Sequence, residues 1–143
     1  MMTGVYPVYN NKFKVGDAKE SATMVADAES FTVSVTNGVE TWTPFDSEGW
    51  QRALMTAKAV TIAVTAKRNI GDVGNDFVAN KAFVNGKEAE GYFAWEFPDG
   101  TEICWENAIY NVTNVGSGDS TGVAALEFEI ISNGKPQITE VTE

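Results

Sequence analysis

Apolar and polar side chains alternate with a period of two along much of this chain, the spacing of strands that bury one face. Across residues 30–35, Phe31, Val33 and Val35 fall on one side and Ser30, Thr32 and Ser34 on the other. Asn37-Gly38 follows, a pair suited to the positive φ angles of a type I′ turn, so a hairpin returning through 39–42 is expected. A second alternating run covers 59–67, with Val60, Ile62 and Val64 facing one way. Runs at 90–97 and 101–110 flank Pro98-Asp99-Gly100, a turn in which proline presets φ and glycine takes the left-handed position. Residues 112–115 either continue that strand or start another. A long strand at 123–132 turns at Asn133-Gly134 into a last one around 137–141.

The pattern changes to a helical period in two places. Thr43 can cap a helix with Pro44 at its first position and Asp46 at capping-box spacing, Asp46 or Ser47 being alternative caps. Trp50, Ala53, Leu54 and Ala57 then fall at i, i+3, i+4 and i+7, an amphipathic stripe. Residues 76–83 form a second short helix closed by Asn85-Gly86. The segments 69–75 and 116–122 are rich in Gly, Asp, Asn and Ser and read as loops. Seven or eight strands against one or two helices predict a mainly β fold, a β-sandwich or barrel with one flanking α-helix.

Composition narrows the function classes. A length of 143 residues fits one domain, 1–143, with flexible N- and C-terminal segments. A net charge of −10 repels phosphates and anionic membranes. No stretch approaches the ~20 apolar residues that span a bilayer. The N-terminus lacks the basic and apolar regions of a signal peptide, so synthesis and folding in the cytoplasm are expected. One cysteine, Cys104, cannot form an intramolecular disulfide, which agrees with that compartment.

The usual chemistry is missing. With no histidine, no Ser-His-Asp or Cys-His pair can be assembled, and His-based zinc sites are excluded. Cys104 lies within a strand and reads as a packing residue. Asp72 to Asp76 hints at a calcium loop, but Gly74 stands where the second ligand belongs and Phe83 where the bidentate glutamate belongs. Gly116-Ser117-Gly118 lacks the third glycine of a dinucleotide motif and the lysine of a P-loop. Trp42, Trp50, Trp95 and Trp105 could stack sugars, yet each sits in an apolar periodic pattern, so at least three are assigned to the core. No catalytic, cofactor-binding or metal residues are assigned, and the chain does not read as an enzyme.

An ordered set of runs resembles the tail tube (major tail) protein family of long-tailed bacteriophages. They are Gly38-Val39-Glu40-Thr41-Trp42-Thr43-Pro44, Glu48-Gly49-Trp50, and the stretch from Lys67-Arg68-Asn69 to Asp76-Phe77-Val78. Phe97-Pro98-Asp99-Gly100-Thr101, Gly118-Asp119-Ser120 and Leu126-Glu127-Phe128 follow, so the resemblance spans residues 5–140. It implies a β-sandwich or barrel similar to type VI secretion tube proteins. Six subunits would join inner sheets into a ring, and rings would stack into a hollow tube through which DNA passes without specific binding.

The same resemblance implies self-association and contact with tape measure, terminator and distal tail proteins, in a virion tail made in the host bacterial cytoplasm. Strands whose outer face is hydroxylic or acidic suit a lumen that must let DNA slide, which nominates Thr32, Ser34, Glu127 and Glu129. An outer solvated face is an equal reading of those residues. Subunit or ring contacts are expected from the loose segment 15–28, the 68–76 loop and the residues after Pro136, with Lys67, Arg68, Asp72 and Asp76 as candidates. Two alternatives stand beside the tube: a tail terminator or distal-tail ring protein, and a carbohydrate-binding β-sandwich module.

Overall fold

The computed structural model describes residues 3–140; Met1 and Met2 of the N-terminal segment and Val141, expected in the last strand, lie outside the described residues. Among the described residues there are eight strands: β1 (Lys12–Gly16), β2 (Thr23–Met24), β3 (Ala28–Trp42), β4 (Arg52–Lys67), β5 (Glu90–Glu96), β6 (Glu102–Val115), β7 (Ala125–Ile131) and β8 (Gln137–Thr139). One α-helix, α1 (Val73–Asn80), lies between β4 and β5. The strands form one antiparallel sheet in the order β2-β1-β5-β6-β7-β4-β3, with β8 pairing the first residues of β6.

The alternation seen in the sequence decides what goes inside. Ile62, Val64 and Ala66 of β4, Leu126, Phe128 and Ile130 of β7, and Phe93, Trp105, Ala108 and Tyr110 of β5 and β6 are buried in one core. The sheet curls until its two ends meet: the Phe31 ring of β3 lies 4.9 Å from Phe13 of β1 and 5.5 Å from Trp95 of β5, both edge-on. Helix α1 closes the core with Val78 and Ala79, and Phe77 packs edge-on against Tyr110. A small second cluster, Tyr92, Ala94 and Cys104, lies beneath Ala22 of the β1–β2 connection. Such an architecture is the expected mainly β sandwich with one flanking α-helix.

Several local expectations are corrected. The chain does not turn at Asn37-Gly38; β3 runs straight through, pairing Asn37 with Lys58 and Gly38 with Ala57. The glycine serves close approach instead, since a Cβ on Gly38 would lie 3.0 Å from that of Ala57. A bulge follows, in which Thr56 is the extra residue between Gly38↔Ala57 and Val39↔Met55. The helix expected after Thr43 is absent: Phe45–Ser47 makes one 3-10 turn, and β4 begins at Arg52. Helical spacing at Trp50, Ala53, Leu54 and Ala57 loses to strand pairing because a helix would leave the β3 backbone unpaired on both edges.

The second helix begins earlier than expected, at Val73, because the Asp72 carboxylate accepts from the Asn75 N–H and caps it. Its C-terminal portion continues only as a 3-10 turn, Lys81–Phe83. Residues 15–28 are not loose, since they hold the end of β1, all of β2 and the start of β3. Two tryptophans, not three, join the core: Trp105 is buried and Trp95 packs against it, whereas Trp42 and Trp50 are exposed.

Candidate functional site

Strands β3, β4, β7 and β6 present a continuous outward face opposite the core. Register sets its rows. Thr32 pairs with Ala63, Ala63 with Glu129, and Glu129 with Asn111. On one side of that row lie Ser30, Thr65, Glu127 and Asn114; on the other lie Ser34, Thr61, Ile131 and Ile109. The sheet thus gathers Thr32, Ser34, Glu127 and Glu129, from distant parts of the sequence, onto one wall of small hydroxylic and methyl side chains. Both carboxylates are held by amides rather than cations: Asn111 donates to Glu129 at 3.3 Å and Asn114 to Glu127 at 2.8 Å. Asn111 and Asn114 are the part of this surface that alternation could not reveal: three residues apart, they share a face only because the β6–β7 register shifts between Val112 and Asn114.

Strands β3 and β4 outrun the rest of the sheet. Pairing of β4 to β7 ends at Thr61↔Ile131, yet the β3–β4 ladder continues to Trp42↔Arg52. Beyond Thr36 the hairpin therefore projects about 20 Å, at ~3.3 Å per residue. Val35 and Val39 continue the inward parity of Phe31 and Val33, with Met55 beside Val39, but nothing in the subunit covers them and all three are about half exposed. On the other face Leu54 and Trp42 are exposed, and the Arg52 guanidinium sits 5.7 Å from the centre of the Trp42 ring. The tip is a closed loop: the Ser47 hydroxyl lies 2.6 Å from the Trp50 carbonyl and 3.0 Å from that of Pro44. Phe45 and Trp50 stand out from it at 107% and 77% exposure.

Lys67, Arg68, Asp72 and Asp76 come together at the junction of β4 and α1, where their partners lie within the same subunit. Arg68 Nη1 reaches Asp76 Oδ1 at 2.8 Å, and Lys67 Nζ reaches Glu29 Oε2 at 3.3 Å in a half-exposed pair. Asp72 Oδ2 accepts from the N–H groups of Asn75 and Ala26, at 2.9 and 3.1 Å. The centre of this knot is Asn75, fully buried. Its amide donates to the carbonyls of Ala26 and Lys67, and its oxygen accepts from Arg68 Nη1 and the Asn69 N–H. The Asp72 and Asp76 carboxylates are thus engaged with the chain's own donors. No group of three or more metal-ligating side chains occurs among the described residues.

The buried phenols are structural. Tyr110 donates to the Tyr92 carbonyl, and burial pushes its ionisation well above the ordinary tyrosine value. Tyr92 is raised too, by burial first and then by the neighbouring Cys104, with its hydroxyl 3.2 Å from Glu102 Oε1. Both hydroxyls stay protonated and bonded internally, an arrangement suited to packing and not to proton transfer.

No family model matches the sequence, and no curated protein matches it. Solved structures do match in shape. The tail of an empty gene transfer agent (GTA) particle, computed with helical refinement in C6 symmetry, superposes with a TM-score of 0.70 at 19% identity, over 95% of this chain and 100% of that one. A chain of the virion of the native GTA particle gives 0.69 at 18% identity, with the same coverage. A chain of the PVC sheath/tube terminator, from an extracellular contractile injection system in its extended state, gives 0.66 at 12% identity over 98% and 100%. The protein shares its fold, along nearly its whole length, with components of tails and injection systems.

Proposed function

We propose that this protein is a structural subunit of a phage-type tail, which polymerises as stacked rings into a hollow tube and performs no catalysis. The observation that carries this reading is the β3–β4 arm. Val35, Val39, Leu54, Met55, Phe45 and Trp50 stay exposed on a projection whose own subunit gives them nothing to pack on, and surfaces of that kind mark contacts with other chains. The fold shared with a C6-symmetric tail supplies the symmetry, and six subunits per ring is the count adopted. In this arrangement the wall bearing Thr32, Ser34, Glu127 and Glu129 lines the lumen, where carboxylates without basic partners repel a passing DNA backbone. The junction carrying Lys67, Arg68, Asp72 and Asp76 contributes a subunit contact, through Lys67 and Glu29 at the surface. Tape measure, terminator and distal tail proteins are the further partners, and the site of action is the virion tail after synthesis in the host cytoplasm.

Likeness to the PVC sheath/tube terminator supports a second reading, a ring that caps a tube. Negative-stain electron microscopy across a concentration series, beside size-exclusion chromatography, separates the two. Hollow tubes or stacked rings of uniform width are expected. Closed rings that never stack favour the terminator, and a monomer at every concentration overturns self-assembly by this chain alone.

A further inference from the structure

The three Asn-Gly pairs, Asn37-Gly38, Asn85-Gly86 and Asn133-Gly134, are alike in sequence and placed differently by the fold. Asparagine before glycine is prone to deamidation, because no side chain shields the following nitrogen. That nitrogen attacks the Asn Cγ, ammonia leaves, and a succinimide ring closes. Water then opens the ring at either carbonyl, leaving aspartate or isoaspartate without any oxidant or cofactor. Ring closure requires the backbone at the asparagine to swing out of its extended setting, which a paired strand forbids. At Asn37 the ladder with β4 holds that backbone through Thr36↔Ala59, Asn37↔Lys58 and Gly38↔Ala57, and Lys58 Nζ donates to the side-chain oxygen at 2.8 Å. Asn85 and Asn133 are exposed and lie outside the strands. Their glycines have φ of 64° and 92°, with open space where a Cβ would stand. Among the described residues, no backbone carbonyl accepts from the N–H of Gly86 or Gly134.

Asn133 differs from Asn85 in what its amide does. Asn85 caps the 3-10 turn Gly86–Ala89 without any side-chain bond to it. The Asn133 Nδ2 donates to the Asn107 carbonyl at 2.9 Å and so ties the β7–β8 turn to β6. Past that turn β8 holds on by three pairs, Cys104↔Gln137, Ile103↔Ile138 and Glu102↔Thr139, with all three of its side chains exposed. A strand attached in this way opens at little cost. We propose that Asn133 is a deamidation site whose conversion releases β8 from β6. The product carboxylate has no proton for the Asn107 carbonyl, and isoaspartate adds a backbone atom to the connection. Glu106 lines the same cavity of about 180 Å³ and repels the new charge. Lys135 lines it too, but belongs to the same turn, so a pair with it holds the turn to itself and not to β6. The bond to Asn107 delays the reaction little, since exposed side chains change rotamer within nanoseconds whereas deamidation takes days. Release bares the β6 edge at Glu102 to Cys104, where another chain can pair. Both the reaction and its consequence are independent of any role in a tail.

Peptide mapping and amide hydrogen exchange test it on the full chain, aged for weeks in mildly alkaline buffer. The peptides holding Asn85 and Asn133 should gain about 1 Da, while that holding Asn37 should not. In the aged protein and in fresh Asn133→Asp, exchange across 102–104 and 137–139 should quicken about fivefold, the worth of one exposed hydrogen bond. Fresh Asn85→Asp should leave those segments unchanged. Aged Asn133→Gln, whose longer side chain closes the ring poorly, should keep the exchange of the fresh parent. Conversion at Asn85 but not at Asn133, or at Asn37 as fast as at Asn133, overturns the assignment of the site. Unchanged exchange in Asn133→Asp overturns the release of β8.

Discussion

Arg68 Nη1 and the side-chain oxygen of Asn75 lie 2.8 Å apart, and through that bond the end of β4 is locked to the first turn of α1. From the first turn of α1, the Asn75 side chain bonds four groups in two other segments: Ala26 before β3, and Lys67, Arg68 and Asn69 at the end of β4. No polar atom of its side chain is left unpaired at full burial, which is the condition under which a buried polar network rigidifies a fold. Asn75→Ala would orphan the backbone groups of Ala26, Lys67 and Asn69 together. A loss of about 3 kcal/mol in urea unfolding is expected, since each buried unsatisfied group costs roughly 1–3 kcal/mol and some rehydrate. The exposed Asn80→Ala should change stability by less than about 0.5 kcal/mol.

Gly74 is set by the same junction. A Cβ there would lie 2.3 Å from the Met24 carbonyl oxygen and 2.8 Å from its carbon, both backbone atoms that cannot rotate away. Helix propensity alone would favour Gly74→Ala by about 1 kcal/mol. The clash reverses the sign, and a net loss of at least about 2 kcal/mol is expected by thermal or urea unfolding. A neutral outcome would mean that the β2 segment yields easily.

The two buried phenols set an alkaline limit. Both Tyr92 and Tyr110 are raised in the folded state, so their contribution is fully present below the unfolded tyrosine value of about 10. As pH rises past 10 the unfolded chain releases those protons while the folded chain holds them, and stability falls. Tyr110→Phe should lower stability at pH 7 by about 1 kcal/mol, the worth of its bond to the Tyr92 carbonyl. It should also flatten the decline between pH 9.5 and pH 11.5, measured as urea midpoints.

Neutralising the polar wall separates assembly from transit. Glu127→Gln with Glu129→Gln keeps an oxygen to accept from Asn114 and Asn111, so unfolding free energy should stay within about 0.5 kcal/mol of the parent. Tubes should still form, and DNA release from particles carrying the variant should slow. Unchanged release would place those carboxylates on an outer surface.

The arm should matter to association and little to folding. Leu54→Asp or Val39→Asp, on its two faces, introduces a charge at a side chain that the subunit leaves half or more exposed. The thermal midpoint of the monomer should hold while polymerisation fails by microscopy and light scattering. A large drop in midpoint would mean that the arm is part of the subunit's own core.

What the sequence determined by itself was whatever depends on neighbours a few residues apart. Alternation across 30–35, 59–67, 90–97, 101–110 and 123–132 named the strands and the faces they bury, because a period of two is a local property of the backbone. Pro98-Asp99-Gly100 announced its turn for the same reason, with Gly100 in the left-handed region and its N–H on the Phe97 carbonyl. The outward parity of Thr32, Ser34, Glu127 and Glu129 was legible too. That they share one wall was not, because it rests on β3, β4, β7 and β6 lying side by side. Tertiary structure alone decided the arm. Asn37-Gly38 is locally a turn and 50–57 locally a helix, but the paired ladder of β3 and β4 satisfies every backbone group that either local choice would leave open on the facing edges. Asn75 was hidden for a related reason: a buried hub is defined by the segments that converge on it, and those segments lie up to 49 residues away in the chain.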